Sequence, residues 1–357
     1  VNEPLRYGLI GTGMMGLEHQ RNLNAIDDAR VVAAADPVQQ SLEWATFTAE
    51  GRELVTFRDY RDLLRADLCD VYVISSPNFT HRGVLDDVMA TGRHIFVEKP
   101  MTTTVADARD IYERARSYPA VFWVGLEYRY MPPVARAIEI ARSGELGELH
   151  MIAIREHRHP FLVKVGDWNR FNVNTGGTLT EKCCHFFDLM RLIAQSSPVR
   201  VMASGAQSVN HLDESYDGRR PDILDHAFVI VEFDNGVRAS LDLCMFAEGT
   251  VNNEELSVVG SRGKVEAFIP SGTVRVGART GWGAAVSETV VRDERVLVEG
   301  FHHGASFLEH LDLAAAIRTN SPALVTAEDG LWSVVMGVAA HRAIDEARVV
   351  EMGELLT

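Results

Sequence analysis

Three glycines at positions 11, 13 and 16 constrain this chain more than any other feature. Residues 5–10 form an apolar run of strand length before them, and a segment of helical periodicity runs from about Leu17 to Ala25 after them. In a strand–glycine–helix order, Gly11 permits a tight turn and Gly13 lets backbone N–H groups approach a pyrophosphate. Gly16 lets the helix sit close to the strand, its positive end facing the phosphates. Thr12, Met14 and Met15 complete the loop. The competing interpretation is a glycine-rich turn without a ligand. A second apolar run, Val31–Ala35, argues against it by ending in Asp36, about 20 residues beyond the last glycine. A carboxylate there can bind a ribose 2′-hydroxyl and would repel a 2′-phosphate, so NAD is expected over NADP.

The rest of the first 125 residues keeps alternating. Strands are expected at 54–56, 71–74, 94–97 and 121–124, with helices at about 41–48, 60–64, 82–91 and 105–116. Such alternation implies a doubly wound parallel sheet, whose ligands gather outside the carboxyl ends of the strands. Ser75-Ser76-Pro77-Asn78 and Glu98-Lys99-Pro100 both fall at such ends, which makes them candidate cofactor contacts.

From residue 126 to 357 the texture changes. A helix at 134–142 and a strand at 149–157 precede an irregular stretch, and Gly176-Gly177 opens an amphipathic helix expected to run to about Ala194. Strands follow at 199–209, 225–233, 237–246, 254–260 and 264–269, with hairpin signals such as Asp234-Asn235-Gly236 between them. Residues 211–222 read as a surface loop, and helices close the chain at 306–319 and 328–347. The expectation is a dinucleotide-binding domain over 1–125 and a substrate-binding and oligomerisation α+β domain over 126–357, the latter with a large, mostly antiparallel open sheet.

A net charge of −15 argues against nucleic acid and against an anionic membrane surface. No apolar run reaches the ~18 residues of a membrane helix, and no signal peptide is evident, so a cytoplasmic setting is expected. Four cysteines, Cys69, Cys183, Cys184 and Cys244, show no metal-ligand spacing. Buried reduced thiols, and no metal, are expected.

On the helix after Gly177, the residues Glu181, His185 and Asp188 fall at i, i+4 and i+7, on one stripe. An otherwise apolar helix must bury that stripe against partners or line a wet cleft with it. A satisfied core histidine is the plain alternative. Lys99 could equally be a solvated surface lysine, although it follows the apolar run Ile95-Phe96-Val97 and precedes a proline.

Taken together, Gly-x-Gly-x-x-Gly at 11–16, Ser76-Pro77-Asn78 with His81, Glu98-Lys99-Pro100, Trp168-x-Arg170, Gly176-Gly177 and His185-x-x-Asp188 resemble the Gfo/Idh/MocA oxidoreductase family. The resemblance keeps the family's order and extends over essentially the whole chain. It implies that Lys99 holds and polarises a substrate hydroxyl and that His185 exchanges the hydroxyl proton. Glu181 stands where polyol dehydrogenases of the family commonly carry Asp, and Asp188 reads as an orienting residue. The cofactor set implied comprises the glycine loop, Asp36, Ser75–Asn78, His81, Glu98, Lys99, Glu127, Arg129, Trp168 and Arg170. Tyr128, His157 and Asp242 are candidate substrate contacts.

The implied activity is NAD-dependent oxidation of a secondary hydroxyl on a sugar, cyclitol or related polyol. One alternative is a glycoside hydrolase that oxidises, eliminates and reduces in turn; another is a nucleotide-binding sensor without catalysis. An open sheet with an apolar face implies a homodimer or homotetramer.

Overall fold

A computed structural model of the protein describes residues 3–356. It divides into two compact units, both discontinuous in sequence. The first takes in the chain up to Glu127 together with Lys164–Trp168 and Glu294–Val334; the second holds Tyr128–Val163, Asn169–Asp293 and the chain from Val335.

In the first unit, β1 (Leu5–Ile10), α1 (Met14–Asn24), β2 (Ala29–Ala35), α2 (Gln39–Thr48), β3 (Val55–Phe57), α3 (Tyr60–Ala66), β4 (Val71–Ile74), α4 (His81–Met89), β5 (His94–Glu98), α5 (Val105–Ala115) and β6 (Phe122–Gly125) alternate as expected. The strands form one parallel sheet in the order β3-β2-β1-β4-β5-β6. The strand order reverses between β1 and β4, where a dinucleotide crevice opens in folds of this class. Strands β4 and β6 are buried along their whole length, which is why they read as unbroken apolar runs. Capping fixes where helices begin: Thr104 Oγ1 accepts from Asp107 N at 3.1 Å and donates to that residue's carboxylate at 2.7 Å, opening α5.

The second unit is built from α6 (Pro132–Arg142), β7 (Leu149–His157), the short helices α7 (Asn172–Thr175) and α8 (Thr178–Glu181), α9 (Cys184–Ala194), and strands β8 (Pro198–Ala206), β9 (His226–Phe233), β10 (Arg238–Cys244), β11 (Glu254–Gly260), β12 (Gly263–Ile269), β13 (Thr273–Ala278) and β14 (Val286–Val290). Further along, α10 (Ala305–Thr319) belongs to the first unit, α11 (Ala327–Asp345) begins in the first and ends in the second, and β15 (Val350–Glu351) joins the second. Its nine strands lie in the order β14-β13-β12-β11-β7-β10-β9-β8-β15. Every pairing is antiparallel except β7 with β10. One face of the sheet is apolar and buried, as with Ala227, Val229 and Val231 on β9 and Ala239, Leu241 and Leu243 on β10. Residues between them, such as Phe228 and Ile230, point the other way and stay exposed.

Two sequence expectations need correcting. The single helix expected from Gly177 to Ala194 is two helices, interrupted at Lys182–Cys183, where the Cys183 ψ of −3° lies off the helical value. Glu181 and His185 therefore sit on different helices, not on one continuous stripe. The sheet is also larger than expected: β13, β14 and β15 went unread. β14 is an edge strand exposed at every residue, so no buried alternation marks it.

Candidate functional site

The dinucleotide end of the first unit is set by its glycines. Gly11 adopts a φ of +92°, and a Cβ there would lie 2.6 Å from Ser76 N; a Cβ on Gly16 would overlap the Gly11 carbonyl. Gly13 differs, since beyond its own stretch of chain nothing comes within 4 Å of where its Cβ would be. That open position, at the start of α1, fits a pyrophosphate approaching the backbone. The loop is tied down by Gly11 N to Ala35 O (2.9 Å), Ser75 N to Ile10 O (2.9 Å) and Ser75 Oγ to Gly11 O (2.8 Å). Asp36, at the end of β2, accepts from Thr12 N and Val38 N at 2.8 Å each. Its carboxylate braces the glycine loop and keeps lone pairs for a ribose hydroxyl.

At the end of β4, Asn78 is buried and Ser76 Oγ lies 2.7 Å from Thr80 Oγ1. His81 is fully buried, its ring nitrogens 2.9 Å from the carbonyls of Pro100 and Ser76. It staples the β4 loop to the β5 loop. Burial lowers its pKa, while the two carbonyls pull the other way.

Glu98 ends β5, buried, and accepts from His19 Nε2 (2.8 Å) and Lys99 N (3.1 Å). Burial alone would raise its pKa; the hydrogen bond and charge of His19 prevail and hold it at about 2. The same pairing raises His19 against the burial that would lower it. His19 Nδ1 meets His310 Nε2 at 2.9 Å, and burial and the His19 charge push His310 well below the ordinary range. Lys99 follows, half-buried, with a cis peptide to Pro100. Trp168 belongs to this unit and meets Phe79 edge-on, ring centroids 6.3 Å apart. Glu127 is fully buried; Ser306 Oγ donates to it and His302 Nδ1 lies 3.3 Å away. Burial raises its pKa.

In the second unit, the Gly176-Gly177 pair places α8. Both have positive φ (+81° and +90°), and a Cβ on Gly177 would overlap the imidazole of His341 on α11. A Cβ on Gly337 would come within 2.8 Å of the Leu179 carbonyl, so α8 lies flush on α11. From that anchored turn the chain presents Glu181 and Lys182, then His185 on α9, all buried. His185 stacks on Tyr128, ring centroids 4.0 Å apart and planes 9° from parallel. Lys182 Nζ donates to the Tyr128 hydroxyl and lies 2.9 Å from Glu156 Oε1. Asp188 forms a buried two-pronged pair with Arg129, Nε to Oδ2 at 3.0 Å. Arg170 is buried against Glu214 (2.9 Å), whose carboxyl is held at about 2: burial would raise it, but hydrogen bonds from His211, Tyr216 and Arg170 prevail.

Comparison with known proteins fits both units. Residues 5–126 match the family model described as oxidoreductase family, NAD-binding Rossmann fold, and residues 139–352 match its C-terminal alpha/beta domain. The chain belongs to the Gfo/Idh/MocA oxidoreductase family. Among its relatives are myo-inositol 2-dehydrogenase of Thermotoga maritima, 26% identical over 99% of this chain and 100% of that protein. Inositol 2-dehydrogenase of Rhizobium meliloti is 25% identical over 98% and 99%. The same fold is seen in levoglucosan dehydrogenase solved with NADH and levoglucosan, at a TM-score of 0.86 and 19% identity over 98% of this chain and 100% of that one.

As a Gfo/Idh/MocA protein the chain has an NAD-binding Rossmann unit. The glycine loop, Asp36, Ser75–Asn78, His81, Glu98, Lys99, Glu127 and Trp168 all belong to the first unit, whereas Tyr128, Arg129, Arg170, Glu181 and His185 belong to the second. His157 and Asp242 pair with each other at 3.2 Å on the side of the sheet that carries Met151 and Phe228. Period-two alternation turns them away from Glu156, which shares the buried face with Ile152 and Ile154. The sequence reading passed over Lys182, Glu156, His19 and His310. Lys182 had a signal: an ammonium among Leu179, Phe186 and Leu189 requires a buried carboxylate partner. Among the described residues, no group of three or more His, Cys, Asp or Glu side chains could hold a metal ion, and no helix is long and apolar enough to cross a membrane.

Proposed function

We propose that the protein is an NAD-dependent dehydrogenase that oxidises a secondary hydroxyl of a cyclitol, sugar or related polyol. What carries this reading is His185, a buried imidazole stacked on Tyr128, in a chain whose other unit ends β5 at Glu98, hydrogen-bonded to His19 on the helix after the glycine loop, with Lys99 next in sequence. Relatives named for inositol oxidation, matched over nearly their full length, support the substrate class.

Bound NAD supplies the hydride acceptor. The chain's own work is to align and polarise. His185 takes the hydroxyl proton, its unperturbed pKa of about 6.5 lying near working pH. The Lys99 ammonium stabilises the developing negative oxygen, a contribution of about 3 kcal/mol in a water-poor site. Glu181 receives a hydrogen bond from the lysine or from a substrate hydroxyl. Gly11, Gly13 and Gly16 seat the pyrophosphate and Asp36 the ribose, with Arg129, Trp168 and Arg170 toward the nicotinamide and phosphates. The exposed apolar side chains on the outer sheet face are covered by a second copy of the chain.

Purified protein with NAD, screened against inositols, free sugars, anhydrosugars and glycosides, tests the reading. Net NADH formation with at least one free polyol or sugar is expected. Aglycone release from a glycoside without net NADH would replace dehydrogenation by oxidation–elimination. Tight NAD binding with neither outcome would favour a sensor.

A further inference from the structure

Lys182 lies outside the set assigned above, yet it is 5% exposed and sits three residues before His185. Its ammonium contacts the carboxylate of Glu156, itself fully buried, and the hydroxyl of Tyr128, and lies 4.7 Å from the centre of the Tyr128 ring. That ring is the one parallel to the His185 imidazole. A cation, a phenol and an imidazole are thus in series, and Glu156 fixes the first member.

We propose that Lys182 is a positioning residue: held by Glu156, it locks the Tyr128 ring on which His185 stacks and biases that imidazole toward its proton-free, proton-accepting form. The proposal deepens the reading of His185 as the proton acceptor and rests on it for its catalytic meaning.

The physical argument has two parts with the same sign. A nearby ammonium disfavours the imidazolium through space. By donating to the phenol oxygen it also draws density from the ring, so the stacked face attracts a cation less. Glu156 works against both by neutralising the ammonium. Other charged or titratable groups on the elements that carry this series include Glu181 on α8, Asp188 and Arg191 on α9, Arg155 and His157 on the opposite face of β7 with Arg158 and His159 after it, and Glu254 at the start of β11. Asp188 is taken up by Arg129, and Arg158 Nη1 lies 3.4 Å from Glu156. Glu254 Oε1 is 3.4 Å from the Tyr128 hydroxyl. α6, which also packs on α9, keeps Arg136, Glu139 and Arg142 exposed.

The test is a nitrogen NMR titration of histidine-labelled protein without substrate, the His185 signal being assigned by its loss in His185→Gln. Lys182→Met is expected to raise the His185 midpoint by about one pH unit, and Glu156→Gln to lower it. Lys182→Arg, which keeps the charge, should restore the wild-type midpoint to within a few tenths. In a Tyr128→Phe background the effect of Lys182→Met should shrink, as a coupling carried by the hydroxyl requires. A His185 midpoint that stays put in both charge variants, or moves the same way in both, overturns the proposal. If one variant does not fold, the sign found in the other decides. Since the titration needs no turnover, a failed polyol screen would remove the catalytic reading and leave this coupling standing, and the reverse outcome is equally separable.

Discussion

The imidazole Nε2 of His341 accepts the backbone N–H of Leu179 at 3.0 Å, from a ring packed directly against Gly177. This contact replaces a cap on α8, a four-residue helix whose N-cap, Gly177, has no side chain to offer. It anchors the turn that delivers Glu181 and Lys182.

Gly177→Ala should therefore be costly twice over, by left-handed strain and by overlap with His341. A loss of ~2–4 kcal/mol is expected in urea unfolding. Gly51→Ala is the control: it shares a positive φ of +80° but faces open space. It should lose only about 1 kcal/mol. Equal losses would mean the contact with His341 contributes nothing.

His341 also makes stability depend on pH. Burial lowers its pKa from 6.5 to about 4, so between those values the unfolded chain binds a proton that the folded chain refuses. Its contribution is complete above about 6.5 and is lost as pH falls toward 4, a change on the order of 3 kcal/mol. His341→Asn, which keeps an acceptor but does not titrate, should flatten the unfolding free energy across that window. An unchanged slope would refute the assignment.

The buried Glu98–His19 pair combines two contributions of opposite sign. Glu98, lowered to about 2, contributes stability above its ordinary value of 4.5 that fades as pH falls toward 2. His19, raised above 6.5, contributes stability below that value that fades as pH rises through its folded pKa. His19→Leu strands a buried carboxylate and should cost ~3–5 kcal/mol. The double replacement His19→Leu/Glu98→Leu should recover part of that loss, read from denaturant midpoints.

Lys99→Ala should abolish turnover while NAD binding, measured by calorimetry or fluorescence, persists. Turnover near the wild-type rate would remove Lys99 from the mechanism. Lost NAD binding would assign it to the cofactor instead.

On the outer sheet face Phe228, Ile230 and Met151 are 63%, 45% and 59% exposed. Phe228→Glu with Ile230→Lys should shift a homo-oligomer toward monomer in sedimentation, at unchanged unfolding cooperativity. A wild-type protein already monomeric at micromolar concentration would contradict the oligomer.

The first unit's sheet was legible because its strands β1, β4, β5 and β6 are largely apolar runs that stop at Gly11, Ser75, Glu98 and Gly125. Each signal is local, and local signals survive in a sequence. The break at Lys182–Cys183 was not legible, because Cys184 and His185 carry the helical period on and no glycine or proline marks the interruption. The pairing of Lys182 with Glu156 and Tyr128 was hidden for another reason: its members come from the break between α8 and α9, from β7 and from the segment after β6, and nothing in spacing links them. Arg129 with Asp188, and Arg170 with Glu214, are hidden in the same way.

The first unit is finished by residues that come long after it. Trp123 on β6 donates to Glu309 on α10 at 2.9 Å, Val124 N to Val325 O at 3.3 Å, and α10 packs on α1. A ribosome must deliver nearly the whole second unit before these partners emerge. A nascent chain ending near residue 126 would expose the flank of its own sheet, so a stand-alone nucleotide module cut there should be sticky and chaperone-dependent.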